Sequence, residues 1–227
     1  VELAIVMLII GLLVGGVLKG QEMIESARVS STISAMESFD AAFNTFNDRY
    51  AAIPGDVSSP ADRIPNCSGK CDFTNSTGNQ QVEQTAGDAI GDGGVAVWSQ
   101  LSASGLIKGA SSDPGDNTTV GSSAPEADIG GGFIVGWNDG DVTHLKNSQH
   151  YLYAARDIGS GIGSGDNVPM TPSQAQQIDR KLDDGNPLLG SVRTSNTGTC
   201  DTTAGGDDIY DTSNTNTVCS VYKETIN

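Results

Sequence analysis

The sequence predicts an α+β protein in which one long N-terminal helix packs on an antiparallel β-sheet head with long loops. Three observations lead to this prediction. Residues 3–18 are an unbroken run of apolar residues and glycines, residues 33–50 carry apolar side chains at helical spacing, and the remaining chain alternates short apolar segments with polar, glycine-rich stretches. Residues 1–53 are therefore assigned to the helix and residues 54–227 to a globular head.

The helix is predicted to be continuous because no proline occurs before Pro54, where a Pro-Gly-Asp turn ends it. Residues 1–18 form the candidate membrane or filament-core segment, and residues 19–53 form an amphipathic half. In that half, apolar side chains recur at steps of three and four residues (Ile33, Met36, Phe39, Phe43, Phe46 and Tyr50). Because a helix of about fifty residues is about 75 Å long, a head of this size covers only one of its halves.

Composition excludes two classes of function. The chain carries 28 acidic and 12 basic residues, a formal net charge of −16. A protein this acidic does not attract nucleic-acid phosphates, so no direct nucleic-acid binding is expected. Adsorption on an anionic membrane through charge alone is excluded for the same reason. Most of the acidity belongs to residues 51–227, which carry 22 acidic and 9 basic residues.

The head is predicted to contain two helices and four short strands. The first helix covers residues 95–108. The second begins after Thr171, the N-cap, with Gln174 completing a capping box, and ends at Gly185. The strands are bounded by glycine or polar residues and cover residues 132–137, 141–146, 149–155 and 218–223.

The four cysteines are Cys67, Cys71, Cys200 and Cys219. They allow three disulfide pairings, of which the most economical joins sequence neighbours, Cys67 with Cys71 and Cys200 with Cys219. The alternative is a zinc site formed by all four, since the first pair has nearly the usual ligand spacing. Disulfides are preferred because eighteen residues separate the second pair.

No catalytic motif is evident. His144 and His150 lack a neighbouring Cys or Asp pattern typical of a metal site or a triad, and there is no G-x-S-x-G. We therefore expect that the chain is not an enzyme and holds no cofactor. Acidic clusters raise calcium as an alternative, but none has EF-hand spacing, so solvated loops are preferred. These clusters are Asp88 with Asp92, Asp179 with Asp183 and Asp184, and Asp207 with Asp208.

The N-terminal sequence VELAIVMLIIGLLVGGVLKGQE resembles the start of a mature type IV pilin or pseudopilin. That family begins with an N-methylated aromatic residue, usually followed by Thr-Leu, an aliphatic residue and a glutamate; Val1-Glu2 matches the last pair. The match implies that a few mature residues and the prepilin leader precede Val1. Later motifs are also similar to large pilin-like proteins: the Pro54-Gly55-Asp56 turn, the Gly/Asp-rich turn before Trp98, the Asp183-Asp184-Gly185 helix end and the C-terminal cysteine pair.

The resemblance implies a type IV pilin fold with a disulfide-bonded C-terminal region. It assigns Glu2 to the N-terminal amine of a neighbouring subunit, which offsets the burial of a charge at an apolar segment. Without the resemblance, a solvated helix-start residue is the simpler interpretation of Glu2. Two G-x-x-x-G motifs, Gly11 with Gly15 and Gly16 with Gly20, let helices approach closely. These glycines, rather than a proline, are expected to set any unwound segment in the filament.

The expected function is that of a pilin. The subunit would be held in the inner membrane, processed by prepilin peptidase and methylated. The pilus assembly machinery would then pack identical copies helically into an extracellular type IV pilus, a surface fimbrium that serves cell adhesion. One alternative is a pseudopilin of a type II secretion system. Another is a membrane-anchored periplasmic binding protein or enzyme. The length, the two cysteine pairs and the long loops favour the surface pilin.

Overall fold

The computed structural model describes residues 2–73, 77–86, 89–115, 118–140, 142, 144–159, 168–194, 200–202 and 209–226. Its helices are α1 (Glu2–Tyr50), α2 (Pro60–Arg63), α3 (Asp92–Ala103) and α4 (Pro172–Leu182), with a 3-10 turn at Gly69–Cys71. Its strands are β1 (Gly132–Asn138), β2 (Gln149–Ala155), β3 (Val192–Thr194), β4 (Asp201–Thr202), β5 (Ile209–Tyr210) and β6 (Val221–Thr225).

Four strands form an antiparallel sheet in the order β1-β2-β6-β3, and β4 pairs separately with β5. Strands β1 and β2 form a hairpin in register, with Trp137 opposite His150 and Gly132 opposite Ala155. Both strands are buried over most of their length, because α1 and the head loops cover the sheet. The predicted α+β class, a long N-terminal helix on an antiparallel sheet head, is confirmed.

The apolar stripe of α1 is the side that the head buries. Met36 and Phe46 are fully buried, and the aromatic ring of Tyr50 is half-buried at the helix end. The ring of Phe39 lies edge-on to Trp98, with centroids 5.0 Å apart, and edge-on to Phe133, with centroids 5.1 Å apart. Phe39 therefore joins α1 to α3 and β1 at once, and burial of such a side chain contributes about 1.5–3 kcal/mol.

Helix α1 ends at Tyr50, three residues before the predicted end at Ile53, because Ala51 adopts a left-handed conformation with φ 48°. The predicted turn then docks on α3. Gly55, with φ 90°, donates its N–H to the buried Gln100 Oε1 at 2.7 Å. A Cβ on Gly55 would lie 2.6 Å from Val97 Cγ2, so glycine is required here both for its conformation and for the close approach.

The predicted strand at 141–146 is wrong. Residues 142 and 144–146 belong to the loop of the β1–β2 hairpin, and residues 141 and 143 lie outside the described residues. The buried Asn138 organises this loop. Its Oδ1 accepts from Val142 N at 3.1 Å, and its Nδ2 donates to Val142 O at 3.3 Å and Lys146 O at 3.2 Å. One side chain thus satisfies backbone groups that would otherwise need a strand partner.

The other predicted elements form with shifted ends. Helix α3 begins three residues earlier than predicted and ends at Ala103 rather than at Lys108. Gly105, just after this end, has a φ of 72°. Strand β6 is displaced by two to three residues from the predicted 218–223. The capping box of α4 forms: Thr171 Oγ1 accepts from Gln174 N at 3.3 Å, and Gln174 Oε1 accepts from Thr171 N at 2.8 Å. Gly185 follows with φ 80°.

Candidate assembly surface

The N-terminal half of α1 lies outside the head. We define the apolar tail as residues 3–18, whose large apolar side chains are between 49% and 80% exposed. Burial by the head begins only at Val29, which is 0% exposed. The helix is long and apolar enough to cross a membrane, with a mean hydropathy of 2.4 in an 18-residue window, none of which is buried. The apolar tail is therefore a surface that needs a non-aqueous partner.

Of the four glycines predicted to serve assembly, three lie on this surface, and Gly20 follows it by two residues. A Cβ added at Gly11, Gly15, Gly16 or Gly20 meets nothing within 4 Å, so space within one subunit does not require glycine there. At about 100° per residue, the two G-x-x-x-G pairs face directions roughly 140° apart around the helix. The tail therefore offers two separate lines along which other helices can approach closely. Helix α1 is continuous through all four positions.

Glu2 is the first residue of α1 and lies next to the apolar tail; its side chain is outside the described part of the structure. The other end of the tail is marked by Lys19, whose Nζ lies 2.7 Å from Glu22 Oε2. Both side chains of that pair are about 70% exposed, with 68% for lysine and 70% for glutamate. An ion pair this exposed contributes little to stability. It does place charge where the helix emerges from the apolar stretch.

The exposed and buried halves of α1 are joined by polar contacts between the helix and the head. Gln174 Nε2 donates to Glu25 Oε1 at 2.9 Å, and Lys181 Nζ donates to Ser30 Oγ at 3.0 Å. Further along, Asp40 accepts from Lys223 and from Thr225 in β6. Each surface contact contributes little by itself, and together with the buried stripe they hold α1 against the head. No local pattern in the sequence predicts these long-range pairs.

The cysteines form the two disulfides that the economical pairing predicted, Cys67–Cys71 and Cys200–Cys219. Because all four sulfurs are bonded in pairs, the alternative zinc site is excluded. Cys71 O also accepts from the buried Gln100 Nε2 at 3.2 Å, which ties the first loop to α3. The second disulfide links the residue before β4 to the segment before β6. Closing a loop of that length contributes about 3 kcal/mol in the chain-entropy model.

One predicted acidic cluster is brought together at the end of α4. Carboxylate oxygens of Asp179, Asp183 and Asp184 lie within 4.8 Å of one another. Burial raises the pKa of Asp179 to about 6, although Tyr210 Oη donates to its carboxylate at 2.8 Å and Gly185 N–H at 3.2 Å. Through these hydrogen bonds, the buried carboxylate holds the turn that follows α4 and the tyrosine of β5. That the protein holds no cofactor remains a prediction.

The other acidic clusters are not assembled in the described residues. Asp92 pairs with Lys70, with Nζ and Oδ1 2.7 Å apart. Asp88, Asp207 and Asp208 lie outside the described residues. Among the described residues, only Asp179, Asp183 and Asp184 have carboxylate oxygens close enough to one another to share a metal ion. These carboxylates already accept hydrogen bonds from the protein.

The two histidines occupy different settings. His144 lies in the hairpin loop, whereas His150 is 3% exposed in β2. His150 Nε2 accepts from Val82 N at 3.3 Å, so the ring proton is on Nδ1, which donates to Ile226 O at 3.3 Å. Burial lowers the pKa of His150 to about 4, and the hydrogen bond to Ile226 opposes that shift. The imidazole is therefore neutral at physiological pH and holds three chain segments together.

Acid is expected to destabilise the head through His150. An unfolded histidine has a pKa near 6.5, so as pH falls below that value the unfolded chain takes up the proton first. The contribution is present above about pH 6.5 and is lost as pH falls towards 4, by about 3 kcal/mol in total. Urea unfolding of the full chain in detergent at pH 7, 5.5 and 4 measures it. His150→Gln should flatten this dependence, and the matched variant His144→Gln should retain it; equal slopes in all three proteins would contradict the assignment.

A scan against protein-family models and searches of curated proteins and of solved structures find no match. What the chain does is therefore inferred from its own features. An apolar N-terminal helix packed on an antiparallel sheet is compatible with a pilin-like architecture.

Proposed function

We propose that this chain is a pilin, the structural subunit of an extracellular type IV pilus. The observation that carries the proposal is the division of one continuous helix into two environments. Leu12 is 76% exposed in the apolar tail, whereas Phe43 is 1% exposed in the same helix within the head. Scattered exposed apolar residues are normal on soluble proteins, but a contiguous surface of this kind marks a membrane or protein contact.

Membrane lipid and then the tails of other copies would cover such a tail. Its sixteen residues span about 24 Å as a helix, somewhat less than the roughly 30 Å of a bilayer core, so it can anchor the unassembled subunit in the inner membrane. In the filament, the tails of identical copies replace lipid around one another. The two lines of glycine allow close packing of several helices. The same apolar surface thus anchors the unassembled subunit in the membrane and packs the subunits in the filament.

The head supports a display role. Its excess of acidic residues and its hydroxyl- and amide-rich loops make a hydrated surface around an apolar filament core. The proposed function is assembly and adhesion rather than turnover, with prepilin peptidase and the pilus assembly machinery as partners. The acidic surface also supports the proposal that the filament does not bind nucleic acid directly.

Electron microscopy tests the proposal. A strain lacking the gene is complemented with the wild-type chain, surface material is sheared off, and filaments are labelled with antibody against the head. We expect thin filaments labelled along their whole length, present only in the complemented strain.

Other outcomes favour the alternatives. A secretion defect on deletion, without surface filaments, would replace the pilin proposal by a type II pseudopilin. Monomers that remain in the membrane and convert a substrate or bind a ligand would indicate an anchored periplasmic enzyme or binding protein. Labelling confined to filament ends would restrict the chain to a minor tip subunit.

A further inference from the structure

A cleft of about 580 Å³ opens at the end of α1 that is remote from the apolar tail. Its volume is within the usual range of small-molecule sites, about 300–1,000 Å³. The lining combines the last turns of α1, the segment before residue 82 and the β1–β2 hairpin, and includes Asn47, Asn79, Gln80, Gln81, Trp137 and Gln149. We call it the amide cleft. From Leu18 to Asn47 the helix rises roughly 40 Å, so the cleft lies far from a tail buried in membrane or filament.

The described lining of the amide cleft carries five side-chain amides and no Asp, Glu, Lys or Arg. Asn79 Oδ1 accepts from Gln81 N at 2.9 Å within its own turn. The side chains of the other four, Asn47, Gln80, Gln81 and Gln149, make no hydrogen bond to any residue that the structure describes. Each of these amides has an acceptor oxygen and two donor hydrogens available. His150 in the wall is neutral at physiological pH because burial lowers its pKa to about 4.

An aromatic ring completes the lining. Trp137 is partly exposed, and its ring is held edge-on to His150 with centroids 4.6 Å apart. An indole offers a broad apolar face that is rigid because only two side-chain torsions position it. The amide cleft thus presents one apolar ring face among neutral groups that both donate and accept hydrogen bonds.

The backbone around the cleft is held in unusual conformations. Among the described residues, six non-glycine residues have positive φ, and three of them line this cleft: Gln80 at 64°, Ser148 at 60° and Ile226 at 54°. A β-branched isoleucine in that region is a true outlier. Strain of this kind concentrates at ligand sites. The buried Asp56 carboxylate holds the 78–80 turn by accepting from Gly78 N at 2.7 Å and Gln80 N at 2.5 Å.

These features select one chemical class of ligand. A phosphate or carboxylate needs a cation and a cationic ligand needs a carboxylate, and the described lining offers neither. A sugar ring has an apolar C–H face for the indole and a rim of hydroxyls, each of which donates and accepts. We propose that the amide cleft binds a neutral carbohydrate, with its ring against Trp137 and its hydroxyls bonded to Gln81 and Gln149. This site does not depend on the proposed role in filament assembly.

Binding to immobilised neutral oligosaccharides ending in glucose, galactose, N-acetylglucosamine or N-acetylgalactosamine tests the proposal, with sialylated and sulfated glycans alongside. The full chain is used in a detergent without a sugar headgroup, because maltosides and glucosides would compete. We expect binding to at least one neutral glycan and affinity at least about tenfold weaker in the double variant Gln81→Ala/Gln149→Ala, since it loses several hydrogen bonds.

Two further variants keep the test decisive. Gln177→Ala, on the exposed side of α4, removes an amide away from the cleft and should bind as the wild type does. Asn47→Ala changes an exposed helix residue of the cleft and should weaken binding even if the double variant does not fold. Absence of binding to every neutral glycan, binding only to charged glycans, or equal binding by the cleft variants and Gln177→Ala would overturn the proposal.

Discussion

The variant Glu2→Gln is expected to fold its head normally and to yield at least about tenfold fewer filaments, because truncating one partner of a buried charge pair typically costs 2–5 kcal/mol. Glu2 begins α1 at the edge of the apolar tail, far along the helix from Val29, where burial by the head begins. In the proposed filament its carboxylate would neutralise the N-terminal amine of a neighbouring subunit. The amide of Gln cannot, so each assembly step would bury an unpaired positive charge.

Filament yield in sheared surface material, normalised to the amount of subunit in the membrane, measures this effect. Glu22→Gln is the matched control, since it removes a carboxylate from the same helix outside the apolar tail. Its only described ion pair is the exposed one with Lys19, so its filament yield should stay near that of the wild type. Normal yield from Glu2→Gln would remove the pairing role from this residue while leaving the observed fold untouched.

The variant Phe39→Ala should destabilise the head by about 3–5 kcal/mol, the usual range for truncating a buried aromatic side chain. Phe39 is 7% exposed and contacts Trp98 in α3 and Phe133 in β1 edge-on. Its removal leaves a cavity where α1, α3 and the sheet meet. Urea unfolding of the full chain in detergent measures the loss.

Asn44→Ala provides the comparison for this variant. Asn44 lies on the exposed side of the same helix, so its replacement should change the free energy of unfolding by no more than about 0.5 kcal/mol. If Phe39→Ala destabilised the head by less than about 1 kcal/mol, the three-way contact would not be a principal part of the core.

Local signals predicted the three long helices well, but not the four-residue α2. The stripe from Ile33 to Tyr50 needed only the helical period, and the α4 start needed only Thr171 and Gln174 three residues apart. Strands were harder, because a strand is stable only against a distant partner. The segment at 141–146 has strand-like composition, yet Asn138 bonds it into a loop. Strands β3, β4 and β5 are two or three residues long and left no periodic pattern to find.

The candidate sites divide in the same way. Glu2 and the four glycines belong to one helix, so their positions in the sequence alone placed them on the apolar tail or at its two ends. The amide cleft had no such signal beyond the consecutive amides of residues 79–81. Its lining comes from α1, from the segment before residue 82 and from the β1–β2 hairpin, which only the folded chain brings together.

By itself, the sequence determined that this protein has one helix in two environments, since apolar composition and helical period are local properties that survive in any fold. It also predicted the correct disulfides, because short loops close with the least loss of entropy. Only the tertiary structure decided the sheet order, the polar contacts between α1 and the head, and the neutral cleft around Trp137 and His150. These depend on contacts between residues far apart in the chain, whose pairing is set by the packing of the whole core.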